Sequence, residues 1–93
     1  MMARVEVQLP SVFTPIVAGR LAFALEAESL RAAWQALRRE RPEVGLHLFD
    51  ENGELRRHVL CFHNDRNSRW LQGGDAPLRD GDTLLFMQAV SGG

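Results

Sequence analysis

Alternation of hydrophobic and polar residues predicts two strands at the start of the chain. Residues 4–9 have the period of a half-buried strand, with apolar side chains on one side at Val5, Val7 and Leu9. The same alternation recurs after a turn-rich stretch, at Leu21, Phe23 and Leu25. We therefore expect these two strands to form a hairpin with a long connection.

The period changes to that of a helix after Ser29, which is a suitable N-cap. Apolar residues then recur at i, i+3, i+4 and i+7, at Leu30, Ala33, Trp34 and Leu37. Three arginines and Pro42 follow, and cations are favourable at the C-terminal end of a helix. We interpret Arg38, Arg39 and Arg41 as this helix end rather than as a patch for nucleic acid.

The segment 42–56 is rich in turn signals and is predicted to hold one short strand. The turn signals are Pro42, Gly45 and the turn Asp50-Glu51-Asn52-Gly53. The apolar residues between these signals are Leu46, Leu48 and Phe49. We expect those three residues to form the strand.

Two later apolar runs, 59–63 and 83–87, are predicted to be strands inside the sheet. The second run follows the turn Asp80-Gly81-Asp82. Alternation assigns one side to the core, at Val59, Cys61, Leu84 and Phe86. The other side is predicted to form an outer patch that binds a partner, at Leu60, Phe62, Leu85 and Met87. The alternative is that the segment 42–56 folds over this patch and buries it.

The order of elements is strand, strand, helix, strand, small elements, strand. This order predicts an α+β fold of the β-grasp (ubiquitin-like) type, in which one main helix packs across one face of a mixed sheet. We expect residues 1–88 to form the domain. Residues 89–93 are expected to form a flexible C-terminal Gly-Gly tail.

Composition and charge narrow the classes of function. A chain of 93 residues has room for one domain and little room for a deep substrate cavity. A net charge of −1 with no long block of either sign argues against nucleic acid and membrane surfaces as partners. Cys61 is the single cysteine, so an internal disulfide is impossible. With no apolar run long enough for a membrane span, we expect a cytoplasmic protein.

Residues 78–93, LRDGDTLLFMQAVSGG, resemble the end of the molybdopterin-synthase small subunit and the thiamine-biosynthesis sulfur carrier. The stretch RHVLCFHND at 57–65 and Gly73-Gly74 with Pro77 are similar to the longer members, which include the carriers of cysteine biosynthesis. One departure is Gln88, where relatives often have proline. The family that the chain resembles is that of the ubiquitin-like sulfur carriers.

This resemblance implies that the chain is a protein co-substrate and not an enzyme. A ubiquitin-activating-type adenylyltransferase would use ATP to adenylate the Gly93 carboxylate, and sulfide or a persulfide would then replace AMP and leave a thiocarboxylate. A sulfur-accepting synthase would consume it in cofactor, cysteine or secondary-metabolite biosynthesis. The resemblance implies no bound cofactor and no metal. If the chain ends at Gly93, no protease is needed to free the carboxylate.

The tail residues have the properties that such chemistry needs. They are Val90, Ser91, Gly92 and Gly93. Residues 89–93 span roughly 17 Å when fully extended at ~3.4 Å per residue. Glycine places no Cβ beside the reacting carbonyl. The opposite interpretation is that these residues are an ordinary frayed terminus.

Three alternatives remain open at this point. The chain could be a protein modifier that is conjugated through Gly93 to target lysines, or an interaction module without tail chemistry. Cys61 with His58 and His63 could instead suggest a nucleophile or a metal site. Strand alternation argues against the last alternative, because it puts His58 on the opposite face from Cys61. We expect Cys61 to be a buried, inert thiol.

Overall fold

The structure is a computed structural model that describes residues 2–69 in full, the backbone of residues 70 and 71, and residues 75–89. Within these residues one mixed sheet contains five strands: β1 (Ala3–Gln8), β2 (Ala22–Ala27), β3 (Val59–His63), β4 (Arg66–Asn67) and β5 (Thr83–Gln88). The strand order is β2-β1-β5-β3-β4. Strands β1 and β5 are parallel, and the other neighbours are antiparallel.

The predicted hairpin of β1 and β2 is confirmed. The two strands pair from Ala3 opposite Ala27 to Gln8 opposite Ala22. A 3₁₀ turn at Ser11–Phe13 lies in the long connection, and the Leu9 N–H donates to the Leu21 carbonyl at 2.8 Å. The predicted apolar side faces the core: Val5, Val7, Leu9 and Leu25 are buried, and Leu21 and Phe23 are half-buried against it.

Helix α1 (Leu30–Glu40) begins where the sequence predicts. The Ser29 Oγ accepts a hydrogen bond from the Ala32 N–H at 3.1 Å and so caps the first turn. Every residue of the predicted stripe is buried against the sheet, at Leu30, Ala33, Trp34 and Leu37. The last turn carries Arg38 and Arg39, as expected from the helix dipole.

The predicted strand at Leu46, Leu48 and Phe49 is wrong, because residues 42–48 form helix α2 (Pro42–Leu48). Pro42 occupies the first turn, where its missing N–H costs no hydrogen bond. Val44 and Leu48, four residues apart, face the core, while Leu46 is 66% exposed. A Cβ on Gly45 would lie 2.9 Å from the Arg38 Cα, so glycine lets α2 pack closely against α1.

Both helices lie on the same side of the sheet. Phe49, just after α2, packs edge-on against Phe86 with ring centroids 6.1 Å apart and contacts Trp34 at 5.7 Å. The alternative in which segment 42–56 covers the outer face is therefore wrong, since this segment packs on the core side. The prediction of an α+β, β-grasp fold with a main helix across one face is confirmed.

Candidate functional site

Strand β5 leads into the Gly-Gly sequence from the middle of the sheet. It pairs in parallel with β1, from Glu6 opposite Thr83, and antiparallel with β3, up to Val59 opposite Gln88. The Ala89 N–H donates to the His58 carbonyl at 2.7 Å and continues this pairing by one residue. The chain is thus paired on both sides up to Leu85 and on the β3 side alone up to Ala89. The predicted tail residues Val90, Ser91, Gly92 and Gly93 lie outside the described residues.

The predicted core face and outer face of β3 and β5 are confirmed by the structure. Val59, Cys61, Leu84 and Phe86 are at most 2% exposed and belong to the core. The outer-patch residues are brought together as cross-strand pairs, Leu60 with Met87 and Phe62 with Leu85. Met87 is 43% exposed, and the other three side chains are half-buried. The Leu60–Met87 pair is thus the end of the outer patch that lies nearer the tail in sequence.

The turn before β5 is tied to two residues of β1. Asp80 and Gly81 bond to the main chain of Arg4, since the Arg4 N–H donates to Asp80 Oδ1 at 2.8 Å and the Gly81 N–H donates to the Arg4 carbonyl at 3.0 Å. Gly81 has φ +89, a conformation that favours glycine. The Glu6 N–H donates to the Asp82 carbonyl at 2.9 Å. These bonds fix the start of β5 against β1.

Asp82 also joins β5 to the far end of β3. Its Oδ2 lies 2.7 Å from His63 Nε2 and accepts from the Arg79 N–H at 2.9 Å, while Oδ1 accepts from Asn64 Nδ2 at 3.1 Å. Burial alone would raise the pKa of Asp82, but the hydrogen bonds from His63, Arg79 and Asn64 outweigh it and lower the pKa to about 2. The sequence analysis did not predict this cluster, although it had noted the turn Asp80-Gly81-Asp82 and the stretch 57–65, which contains the HND segment His63-Asn64-Asp65.

We expect Asp82→Asn to lower stability at neutral pH. The folded-state pKa of Asp82, about 2, lies below its ordinary value of 3.8. Its charge therefore stabilises the fold above about pH 4, and this contribution disappears as pH falls towards 2, with a size of about 1–2 kcal/mol. In urea unfolding experiments, the free energy of unfolding of the variant should fall well below that of wild type at pH 7. At pH 2.5 the two values should differ much less. Asp65→Asn, at an exposed carboxylate in the same turn region, is the control.

Cys61 is a core residue, and its surroundings do not favour a thiolate nucleophile. It is fully buried, and burial raises its pKa to about 12, an effect that a weak contact with the Trp34 indole only partly opposes. His63, two residues after Cys61 on the same strand, is paired with Asp82. Among the described residues, no group of three or more His, Cys, Asp or Glu side chains is arranged to hold a metal ion. The prediction of a buried thiol is confirmed.

We expect Cys61→Ser to remain folded and to keep any activity of the tail. The serine hydroxyl is more polar than the thiol it replaces, and a buried hydroxyl costs about 1–3 kcal/mol when its hydrogen bonding is incomplete. Thermal melts would measure that loss, and intact mass after activation would measure loading. Complete loss of loading in a folded Cys61→Ser protein would give Cys61 a chemical role that its burial does not support.

The arginines at the C-terminal end of α1 make local contacts. Arg39 lies 3.7 Å from the Glu40 carboxylate, and Arg41 stacks over the Phe23 ring at 4.3 Å. These contacts support the interpretation of a solvated helix end. No helix among the described residues is long and apolar enough to cross a membrane.

Comparison with known proteins places this geometry in a family. The ThiS family matches residues 7–93. The sulfur carrier protein CysO of Mycobacterium tuberculosis is 28% identical over 91 residues, which cover 96% of this chain and 98% of CysO. The crystal structure of that CysO superimposes with a TM-score of 0.79 at 26% identity, covering 92% of this chain and 99% of the other.

Two further solved structures have the same fold. The Amycolatopsis orientalis BexX/CysO complex contains a chain that matches with TM-score 0.79 and 25% identity, covering 96% of this chain and 99% of that one. Small archaeal modifier protein 1 from Methanosarcina acetivorans matches with TM-score 0.78 and 28% identity, covering 100% of this chain and 99% of that one. The chain therefore belongs to the ThiS family of ubiquitin-like, β-grasp sulfur carrier proteins.

Proposed function

We propose that Gly93 of this sulfur carrier is adenylated by a partner enzyme and converted to a thiocarboxylate. The observation that carries the proposal is the position of β5, which lies between β1 and β3, stays paired with β3 up to Ala89 and leads into Gly92-Gly93. A partner that binds the sheet therefore meets the tail at a defined position, just after Ala89. Likeness to CysO over nearly the whole chain supports the same assignment.

Two displacement steps account for the chemistry. The Gly93 carboxylate oxygen attacks the α-phosphorus of ATP, and pyrophosphate leaves. Hydrosulfide then attacks the carbonyl carbon of the acyl adenylate, so that a C–S bond forms, the C–O bond to AMP breaks and AMP leaves with its electron pair. No oxidation or reduction occurs. A glycine at each of the last two positions leaves the carbonyl without a neighbouring Cβ and open to both partners.

We assign the catalytic groups and the ATP site to the partner. The thiol of this chain is buried with a raised pKa, and His63 is engaged by Asp82. The chain supplies the acyl group and its delivery, as a co-substrate, and binds no cofactor or metal of its own. A sulfur-accepting synthase would take the thiocarboxylate sulfur in a later step.

We assign partner contact to the outer patch. Its four residues present apolar surface beside the exit of β5, and Met87 is the most exposed of them. Polar residues on the same face of β1, Glu6 and Gln8, flank the patch. The A. orientalis structure is a complex of CysO with BexX, so a chain of this fold does assemble with a second protein. An apolar centre with a polar rim is the usual anatomy of such an interface.

A second candidate is conjugation of Gly93 to lysines of target proteins. It is favoured by the likeness to small archaeal modifier protein 1, which covers the whole chain. Both candidates share the adenylation step. They differ in the group that displaces AMP, which is hydrosulfide for a carrier and a lysine amine for a modifier.

Pyrophosphate exchange tests the adenylation step that both candidates share. The product formed when AMP is displaced separates the two candidates. With a ubiquitin-activating-type adenylyltransferase, the chain should stimulate exchange of labelled pyrophosphate into ATP. Adding hydrosulfide should then yield a thiocarboxylate of unchanged chain length. Absence of exchange with every such enzyme of the source organism would refute the proposal. Lysine-linked adducts without thiocarboxylate would assign the chain to the modifiers.

A further inference from the structure

A small open cleft of about 280 Å³ lies on the side of the sheet that carries α1. It is formed by α1, by the segment before β3 and by the 3₁₀ turn Ser68–Leu71. The side chains that matter for its chemistry are Arg31, Trp34, Glu54, Arg57, Ser68 and Arg69. None of them belongs to the outer patch.

The cleft is positively charged in a chain whose net charge is −1. Its single carboxylate, on Glu54, is hydrogen-bonded to Arg31 Nη1 at 3.2 Å. Arg69 Nη2 donates to the Arg57 carbonyl at 2.9 Å, which holds this guanidinium over the cleft. Within the described part of the chain, neither Arg57 nor Arg69 forms an ion pair. Two guanidinium groups are therefore available to an anion.

Ser68 supplies a second and independent sign of a ligand. The residue is 7% exposed, and its Oγ has no hydrogen-bond partner among the described residues. A buried hydroxyl without a partner destabilises a fold. Ser68 is one of the residues that line the cleft, together with Arg57 and Arg69. A carboxylate could accept hydrogen bonds from this hydroxyl and from a guanidinium at the same time.

The cleft lies next to the point where the chain leaves β5. Arg57 directly precedes His58, whose carbonyl accepts the hydrogen bond from the Ala89 N–H at 2.7 Å. Arg57 therefore lies beside the last described main-chain bond before the tail. Anchoring beside the exit would limit the orientations in which the tail can enter.

We infer that this cleft receives a carboxylate side chain of the adenylating partner and so aligns the carrier during activation. The inference rests on the proposed function and adds a polar anchor to the apolar outer patch. Charge complementarity favours an acidic side chain, because two guanidinium groups that form no ion pair among the described residues suit one carboxylate. Nucleic acid would need a longer row of cations along its backbone than this cleft presents.

Steady-state activation by the adenylyltransferase tests the inference. Arg69→Glu should raise the KM for the carrier about tenfold, because it puts a like charge against the partner carboxylate. The kcat and the melting temperature should change little, since Gly93 and the core are untouched. The matched control is Arg20→Glu, the same charge change at an exposed residue of the β1–β2 connection. The KM of wild type, but not that of Arg69→Glu, should also rise with salt.

Ser68→Ala separates a binding role from a structural one. Removing an unsatisfied hydroxyl should leave the melting temperature unchanged or raised, while the KM for the carrier rises severalfold. An acidic-to-arginine substitution on the partner that restores the KM of Arg69→Glu would identify the bound carboxylate.

Several outcomes would overturn the inference. If wild type is activated but Arg69→Glu and Arg20→Glu have equal effects, or Ser68→Ala leaves KM unchanged, the cleft is not the anchor and the proposed function still holds. Self-association of wild type that Arg69→Glu abolishes would assign the cleft to a second copy of the chain. If no adenylyltransferase activates wild type, the proposed function fails and the inference fails with it.

Discussion

Phe86→Asp is expected to unfold the domain. Phe86 is fully buried in the centre of β5 and packs edge-on against Phe49. Loss of a buried phenylalanine alone costs about 3–5 kcal/mol, and a buried carboxylate adds a desolvation penalty. A domain of this size has about 5–15 kcal/mol of stability in total. Circular dichroism should therefore show no cooperative thermal transition for this variant.

The same substitution at Met87, the next residue, is expected to leave the domain folded. Met87 is 43% exposed and lies on the outer patch. Burial of a side chain of this size in an interface contributes on the order of 1.5–3 kcal/mol, so Met87→Asp should weaken binding to the adenylyltransferase at least about tenfold. Titration calorimetry would measure the affinity, and Met87→Leu, which keeps an apolar side chain, should bind nearly as wild type. Unfolding by Met87→Asp with mere loss of affinity by Phe86→Asp would contradict the assignment of the two faces.

Removal of Gly93 is expected to abolish ATP-dependent activation while leaving the melting temperature nearly unchanged. Phe86 is the last core residue in the described part of the chain, so we expect the cooperative unit not to depend on the last residue. The reacting carboxylate, in contrast, would move to Gly92 and fall one residue short of its position in the nucleotide site. Pyrophosphate exchange and thermal melts measure the two quantities on the same sample.

A bulky residue at position 93 should have the same effect as the deletion. Gly93→Phe places a large side chain beside the reacting carbonyl, and Gln35→Phe adds the same side chain at an exposed position of α1. Only the first should lose activation. Unaltered activation of the deletion variant would show that the chemistry does not occur at Gly93.

Periodicity predicted most of the sheet because alternation reports burial directly. Val5 and Val7 in β1, and Leu84 and Phe86 in β5, are buried because one face of each strand meets α1 and α2. The same reasoning failed at Leu46, Leu48 and Phe49. Seven residues are too few for a helical period to stand out, and the spacing of Leu46 and Leu48 also fits a strand. Pro42 at the first helical turn was the available signal.

The polar clusters could be predicted only in part. The sequence singled out the turn at Asp80-Gly81-Asp82 and the HND segment, but His63 and Asp82 are 19 residues apart and meet through strand register. Arg57, Ser68 and Arg69 are brought together in the same way by β3 and the 3₁₀ turn that follows β4. Such contacts depend on tertiary pairing, for which local periodicity carries no signal.

The mass of the C-terminal tryptic fragment tests the central claim most directly. Because the chain has no lysine and no arginine after Arg79, trypsin releases residues 80–93 as one fragment, and that fragment contains no cysteine. After incubation with the adenylyltransferase, ATP and hydrosulfide, it should gain the mass difference between one sulfur and one oxygen atom, and only when ATP is present. An unchanged fragment, with sulfur found only on the peptide that contains Cys61, would contradict the assignment of the sulfur to Gly93.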